Sequence, residues 1–234
     1  MTHFLQHLVA PLNTVLFTFG QDAVTWAELL GFVTGALGVW LTVRARIWNF
    51  PIGLANNVFF FVLFWTARLY ADATLQIVYF ALGVHGWWAW LHGGKRRERR
   101  GDREQPERRE RRSMGHASRT TLIAVLAFVI PATWILTVVL SRADDIAPFW
   151  DALTTALSLG AQSLLNLKLF ENWFFWMAAD VIYIPLYFVK SLYLTGIVYV
   201  VFLGLCMLGA RAWRRQTTDA ARTPSVETAT AGAR

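Results

Sequence analysis

Residues 171–180 read Glu-Asn-Trp-Phe-Phe-Trp-Met-Ala-Ala-Asp, which places two tryptophans and one acid in a segment otherwise apolar enough to cross a membrane. An aspartate at membrane depth costs about 2.5–3.5 kcal/mol even on lenient insertion scales, so Asp180 should face protein or water. Helical periodicity puts one set of side chains from this region on a single face: Trp173, Trp176, Asp180, Tyr183 and Tyr187. The pattern predicts an aromatic wall with one negative charge, which suits a flat ligand that is neutral or cationic.

The composition is that of a membrane protein. Of the 234 residues, 56% are hydrophobic, and they include 12 Trp and 17 Phe. A soluble domain of this size would not carry so much apolar content in such long runs. The expected fold is therefore all-α, with seven transmembrane helices over residues 26–43, 50–66, 71–91, 120–140, 148–168, 173–190 and 192–210.

Residues 1–25 precede the first predicted span and are expected to form an N-terminal tail with an interfacial helix. The apolar run over residues 4–19 is interrupted by Pro11 and Asn13. It also lacks a basic flank and a small-residue cleavage site, which argues against a cleaved signal peptide. An eighth span over residues 4–19 is the alternative.

Basic residues concentrate in the Arg-rich loop, residues 92–119, between the third and fourth spans. The net charge is +7, and this loop holds 11 of the 22 Lys and Arg residues. Because basic loops mark the cytoplasmic side, the N-terminus should lie outside and the C-terminus in the cytoplasm. That orientation places 19 basic residues inside and 3 outside. We expect the loop to attract anionic lipid headgroups, and we expect no nucleic-acid binding.

An internal repeat relates the two ends of the chain. A shift of 123 residues lays 49–70 over 172–193 with six identities in 22 positions, and it lays Asn57 over Asp180. Spans one to three then match spans five to seven in the same orientation, a 3+1+3 parallel-repeat arrangement like that of SWEET proteins. The predicted parts are a first repeat over 26–91, a linker helix over 120–140, a second repeat over 148–210 and a cytoplasmic tail over 211–234.

The fifth span carries one polar stripe on an apolar helix. Ser158, Gln162 and Asn166 follow one another at intervals of four residues, and such groups must find partners inside a membrane. An amide both donates and accepts hydrogen bonds, so Gln162 and Asn166 are candidate ligand contacts. Hydrogen bonding between helices is the alternative.

Two asparagines of the second span are further candidates. Asn57 is the repeat mate of Asp180, and Asn49 stands beside Pro51 at the start of the helix. Asn49 either contacts ligand or caps its helix, as its mate Asn172 would. For Trp173 and Trp176 the alternative to a ligand wall is an interfacial belt, and for Asp180 it is a structural pair with Arg or Lys.

Three segments resemble the PnuC family of nicotinamide riboside transporters. They are Trp48-Asn49-Phe50-Pro51-Ile52-Gly53, the run from Phe64 to Asp72, and Glu171 to Lys190 with the Leu-Tyr-Leu-Thr that follows from Leu192. The resemblance covers roughly residues 26–213. It implies a homotrimer in the bacterial inner membrane that passes nicotinamide riboside down its gradient, with uptake driven by phosphorylation inside the cell.

The resemblance also implies a site formed by Trp173, Trp176 and Asp180, with Gln162 and Asn166 opposite. Relatives of this family move thiamine or riboflavin, so another flat vitamin is an alternative substrate, and a membrane receptor that binds without translocation is an alternative function. The sequence has no phosphate-binding loop, zinc spacing or nucleophile elbow. We therefore expect no enzymatic activity, no cofactor and no metal.

Overall fold

The computed structural model describes residues 10–19, 22–66, 70–92, 114–142, 146–189 and 192–222. Most of the Arg-rich loop lies outside the described residues. The expected contact between this loop and lipid headgroups therefore also falls outside the described residues. Seven helices span the described part: α1 Trp26–Val43, α2 Asn49–Thr66, α3 Tyr70–His92, α4 Arg119–Ser141, α5 Pro148–Asn166, α6 Asn172–Val189 and α7 Tyr193–Arg222.

Between Ala10 and Thr25 the described residues do not form the interfacial helix expected from the sequence, while residues 1–9 of that expected helix, and of the alternative span over residues 4–19, lie outside the described residues. A short 3-10 turn, Ala10–Asn13, leads into an antiparallel hairpin of β1 Val15–Phe19 and β2 Asp22–Thr25. Four of the five residues of β1 are β-branched or aromatic, as are two of the four residues of β2, and such residues favour strands. Thr25 then starts α1 through a capping box, in which Glu28 Oε2 accepts from the Thr25 backbone N–H at 2.9 Å.

Four helices of the described part are long and apolar enough to cross a membrane: α1, α4, α6 and residues Tyr193–Thr217 of α7. The apolar part of α2, Asn49–Trp65, is slightly shorter. The fifth helix carries Asp151, Ser158, Gln162 and Asn166 and is accordingly less apolar. The last helix continues to Arg222 as a helix, beyond the end expected near residue 210.

Six of the helices pack as a closed ring in the order α1, α2, α3, α5, α6, α7, with α7 returning to α1. Helix α4 stands outside this ring and packs against α5. Glycines allow several of these contacts: Gly31 of α1 lies against Phe60, Gly83 of α3 against Leu54, and Gly160 of α5 against Val125 and Val129 of α4. The ring is the frame that holds the site.

Helices α1 and α5 end in the same way. Ala45 and Lys168 follow them with φ values of 52° and 56°, the left-handed conformation that closes a helix C-terminus. At this end of the ring, which we call the tryptophan end, Trp90 Nε1 donates to Leu165 O at 3.2 Å and Trp213 Nε1 donates to Thr42 O at 3.1 Å. Each bond adds a second donor to a carbonyl in the last turn of α5 or α1, which also accepts a backbone N–H from Lys168 or Ala45 at 2.9 Å.

A strap of residues 114–118 crosses the turn between α5 and α6. Gly115 N–H donates to Lys168 O at 3.2 Å, and Gly115 O accepts from Phe170 N–H at 2.9 Å. Glu171 accepts from Ala117 N–H at 2.7 Å and lies 3.0 Å from the His116 ring. The strap therefore fixes the segment that leads from the Arg-rich loop into α4.

Candidate functional site

A cavity of about 1000 Å³ lies among the helices of the ring, at the upper end of the range for ligand pockets. All six ring helices contribute to its wall, and α4 contributes at one edge. Of the eight candidate residues, seven line the cavity: Asn49, Asn57, Gln162, Trp173, Trp176, Asp180 and Tyr183. The eighth, Asn166, lies behind the wall.

The aromatic wall comes from α6, as its periodicity predicts. Trp173 is 1% exposed and meets Trp213 edge to face at a ring distance of 5.5 Å. The Trp173 ring packs directly against Gly209 of α7, where a larger residue would overlap it. An interfacial belt residue would contact lipid, so the belt interpretation is wrong for Trp173. Trp176 is half-buried and presents surface to the cavity.

Asp180 is the carboxylate of this wall and is 4% exposed. The Cys206 thiol of α7 lies 3.4 Å from Asp180 Oδ2 as a weak hydrogen-bond donor. Within the described residues no Lys or Arg forms an ion pair with Asp180, so the structural pair considered from the sequence is not found there. A thiol compensates a buried carboxylate poorly, which favours a cationic ligand beside it.

Within the polar stripe of α5, Gln162 faces the cavity and Asn166 bonds to a neighbouring helix. Gln162 lines the cavity, and its Nε2 donates to Asn166 Oδ1 at 3.0 Å. Asn166 Nδ2 donates in turn to Leu82 O of α3 at 2.8 Å, where Gly86 leaves space for the Asn166 side chain. Asn166 therefore orients Gln162 and ties α5 to α3, which is the helix–helix role considered for the stripe.

The two asparagines at the starts of α2 and α6 do not cap their helices through a side-chain acceptor. Asn49 Nδ2 donates to Thr42 Oγ1 at 3.1 Å, and Asn172 Nδ2 donates to Leu169 O at 2.6 Å. Each amide thus bonds back to the preceding turn or helix. Asn49 also lines the cavity, and so does Asn57, which is half-buried.

Three tyrosines form a cluster at the opposite end of the cavity, which we call the tyrosine end. Tyr199 lies 4.6 Å from Tyr183 and 5.1 Å from Tyr187, measured between ring centroids. Sequence reasoning found Tyr183 and Tyr187 but missed Tyr199 and Cys206, which come from α7. A shift of 123 pairs these two with Gln76 and Gly83, and all four line the cavity.

Comparison with known proteins identifies relatives of this chain. The model of the family described as nicotinamide mononucleotide transporter matches residues 25–215. The nicotinamide riboside transporter PnuC of Escherichia coli strain K12 is 26% identical over 208 residues, which cover 83% of this chain and 87% of that protein. The riboflavin/roseoflavin transporter RibM of Streptomyces davaonensis is 25% identical over 203 residues, covering 86% and 91% respectively.

A solved structure has the same fold. The crystal structure of the vitamin B3 transporter PnuC superimposes with a TM-score of 0.62 and 18% sequence identity. The match covers 94% of this chain and 89% of the solved one. The helix arrangement described above is thus similar to that of the solved protein.

Proposed function

Because this chain belongs to the nicotinamide mononucleotide transporter family, we propose that it carries nicotinamide riboside through a bacterial inner membrane by facilitated diffusion. The observation that carries the proposal is the cavity wall of α6. It presents Trp176 and Asp180 to one cavity between the helices. No enzymatic step is required of the protein.

Nicotinamide riboside matches this wall in shape and charge. Its pyridinium ring is flat and positively charged, and aromatic faces attract such a cation by about 0.5–2 kcal/mol. Asp180 supplies the opposite charge, and Gln162 supplies an amide that can bond to ribose hydroxyls or to the carboxamide. Each chemical part of the ligand thus has a counterpart in the cavity.

Net uptake requires that the product be retained inside, and phosphorylation would achieve this. The described lining of the cavity includes Asp151 and Asp180 but no Lys or Arg. A phosphate group brings negative charge, so it would be repelled by these carboxylates and find no cationic partner. The nucleotide formed by a cytoplasmic kinase would therefore not leave through the same cavity.

Proteoliposomes that contain a nicotinamide riboside kinase and ATP test this function. Labelled nicotinamide riboside should accumulate inside as the phosphorylated product, and liposomes without the transporter should show only leakage. Binding of the ligand to the purified protein without accumulation would identify a receptor instead. Accumulation against a gradient without the kinase would show a coupled transporter and contradict facilitated diffusion.

A second candidate substrate is riboflavin, because a riboflavin transporter is among the relatives at similar identity. The cavity volume of about 1000 Å³ leaves room for a tricyclic ligand. We prefer nicotinamide riboside because Asp180 attracts a cation and riboflavin is neutral. Competition calorimetry with nicotinamide riboside, thiamine and riboflavin decides between them, and we expect nicotinamide riboside to bind at least about tenfold more tightly than thiamine.

The 3+1+3 parallel repeat is the architecture that we propose for this transporter. Pairs of residues 123 positions apart in sequence support it. The left-handed turns at Ala45 and Lys168 are one such pair, and the hydrogen bonds donated by Trp90 and Trp213 are another. In addition, α3 packs against α5, and the helices that correspond to them in the repeat, α7 and α1, pack against each other as well. A two-fold axis along the membrane normal would produce this pattern.

Orientation and assembly complete the proposal. We place the tryptophan end in the cytoplasm, because Arg44, Arg46, Lys168, Arg214 and Arg215 belong to that end. The tyrosine end then faces the outside. The homotrimer is carried over from the family resemblance, and molecular mass measured in detergent by light scattering tests it.

A further inference from the structure

Five arginines gather at the junction of α1 and α7, at the tryptophan end of the ring. Trp213 Nε1 donates to Thr42 O at 3.1 Å, and this bond joins the last turn of α1 to the part of α7 where its apolar run ends. Every one of the five lies within four residues of Thr42 or Trp213 in sequence, and all five are exposed. We call this set the arginine seam: Arg44, Arg46, Arg211, Arg214 and Arg215.

The two sides of the arginine seam are held at the same height and close together. Thr42 and Trp213 are separated by the length of one tryptophan side chain, because the indole of one bonds to the carbonyl of the other. Arg44 follows Thr42 by two residues, and Arg214 follows Trp213 by one. Consecutive Cα atoms are about 3.8 Å apart, so the long arginine side chains of the two helices can reach a common ligand.

The arginine seam lies at the level where a membrane helix meets lipid headgroups. The Arg44 guanidinium stacks over the Trp40 ring at 4.8 Å, which holds it against the outer face of α1. Trp40 is 39% exposed and Trp48 is 66% exposed. Exposed tryptophans beside basic residues at the ends of apolar helices are typical of the membrane interface.

Acidic residues of the chain are distant from the arginine seam in sequence. There is no Asp or Glu between Glu28 and Asp72, or between Asp180 and Asp219. Glu171, at the same end of the ring, accepts from the Ala117 backbone N–H of the strap at 2.7 Å. Like charges held together repel each other, and each guanidinium has five N–H donors, so contacts within the protein leave donors for a ligand. The seam therefore favours an external anion.

The matching junction in the other half of the ring has a different character. A shift of 123 residues places, at the five arginine positions, Leu167, Leu169, Trp88, Leu91 and His92. That junction lies beside the strap, where Gly115 N–H donates to Lys168 O at 3.2 Å and Gly115 O accepts from Phe170 N–H at 2.9 Å. The ring can thus close without arginines, so their concentration between α1 and α7 calls for a separate explanation.

We propose that the arginine seam binds the headgroup of an anionic phospholipid, which bridges α1 and α7. Basic pockets between membrane helices suit phosphate headgroups, and arginine binds phosphate through paired N–H donors. Because the cations come from two helix ends, a lipid with two phosphates, cardiolipin, fits best. Its acyl chains would lie along exposed apolar side chains such as Leu37 and Leu208. The bound lipid would join the first helix of the ring to the last.

Native mass spectrometry of the full-length protein in detergent counts the bound lipid. Titration with cardiolipin should give one tightly held molecule per chain and raise the thermal unfolding temperature. Phosphatidylcholine, which is zwitterionic, should be lost under the same conditions. Inorganic pyrophosphate separates a lipid site from a site for free phosphate. Stabilisation by pyrophosphate equal to that by cardiolipin would overturn the lipid assignment, and so would equal retention of phosphatidylcholine.

Two double variants test the two sides of the arginine seam. Arg44→Gln with Arg46→Gln removes the charges beside α1, and Arg211→Gln with Arg215→Gln removes charges on α7. Each pair should weaken cardiolipin binding at least about tenfold, because both sides hold the same molecule. Retention of the tight lipid by either double variant would show that no single lipid bridges the two helices.

Arg119→Gln with Arg142→Gln is the matched control, since it removes the same amount of charge. Both residues are exposed, and they stand at the two ends of α4, which packs outside the ring. This variant should bind cardiolipin as the wild type does. An equal loss in the control would show attraction by net charge alone and overturn the site.

The inference is independent of the substrate, because the described lining of the cavity includes none of the five arginines. Calorimetry with nicotinamide riboside should give wild-type affinity for both seam variants, which also shows that they are folded. If the pair beside α1 does not fold, the pair on α7 decides. If the wild-type protein does not bind nicotinamide riboside, the proposed function is wrong while the lipid count still tests the seam.

Discussion

Trp90 and Trp213 donate equivalent hydrogen bonds on opposite sides of the helix ring. Trp90 bonds to Leu165 O, and Trp213 bonds to Thr42 O. The two donors are 123 residues apart in sequence, and so are the two acceptors. Each indole also meets the first-turn aromatic residue of a neighbouring helix edge to face, Phe50 for Trp90 and Trp173 for Trp213. Each bond joins one half of the chain to the other.

We therefore expect Trp90→Phe and Trp213→Phe to destabilise the protein to a similar degree. Each removes one indole hydrogen bond from a carbonyl that keeps its backbone donor, Ala45 N–H or Lys168 N–H, at a net cost of about 0.5–1.5 kcal/mol. Thermal unfolding in detergent measures the effect. Trp88→Phe serves as the control, because Trp88 is 59% exposed. A large effect of only one of the two buried substitutions would contradict the equivalence.

Gly209→Ala should disturb the aromatic wall. A methyl group at this position would overlap the Trp173 ring, so the ring must move or α7 must shift. We expect loss of stability and at least about tenfold weaker ligand binding. Gly204→Ala on the same helix is the control, since nothing lies within 4 Å of the added carbon. It should be neutral or stabilising by up to about 1 kcal/mol, and equal effects of the two substitutions would contradict the packing argument.

Asp180→Asn should weaken binding of a cation more than binding of a neutral ligand of the same shape. The substitution keeps the size of the side chain and removes its charge. Roughly tenfold weaker binding of nicotinamide riboside is expected. The neutral dihydronicotinamide riboside should change little. Equal losses for the two ligands in calorimetry would show that the carboxylate acts by shape or by supporting the fold.

Trp176 should act through its aromatic face. Trp176→Ala should cost about 0.5–2 kcal/mol of binding free energy, and Trp176→Phe should retain part of it. Fluorescence or calorimetric titration with nicotinamide riboside measures both. If Trp176→Ala binds nicotinamide riboside normally and elutes like the wild type in size-exclusion chromatography, the ligand does not bind against α6.

The proposed orientation predicts where each end of the chain lies. A green fluorescent protein fused after Arg234 should fluoresce in cells, because it remains in the cytoplasm. Alkaline phosphatase fused at the same position should be inactive. Active phosphatase there would reverse the topology derived from the basic residues.

Much of the site follows from periodicity within one helix. The shared face of Trp173, Trp176, Asp180 and Tyr183 can be found from sequence because all four belong to α6, where spacing fixes direction. Contacts between helices cannot be found in this way. The Cys206 partner of Asp180 depends on how α7 packs against α6, and no local pattern encodes that distance.

Asn166 and the N-terminal hairpin are two further features that the sequence alone does not predict. The spacing of the α5 stripe is compatible with both a ligand role and a helix–helix role, and only the position of Leu82 O on α3 settles where the Asn166 amide bonds. The strand Val15–Phe19 is mostly apolar and short, and apolar content alone does not separate a helical turn from a strand.

The strap has a practical use for engineering. His92 ends α3, and Met114 is buried beside the α5–α6 turn, so both ends of the intervening segment are fixed by described structure. Doubling the length of a connection between fixed ends costs only about 0.6 kcal/mol in closure entropy. An epitope tag or a rigid fiducial domain inserted there should leave the substrate path intact and give electron microscopy a landmark on a small membrane protein.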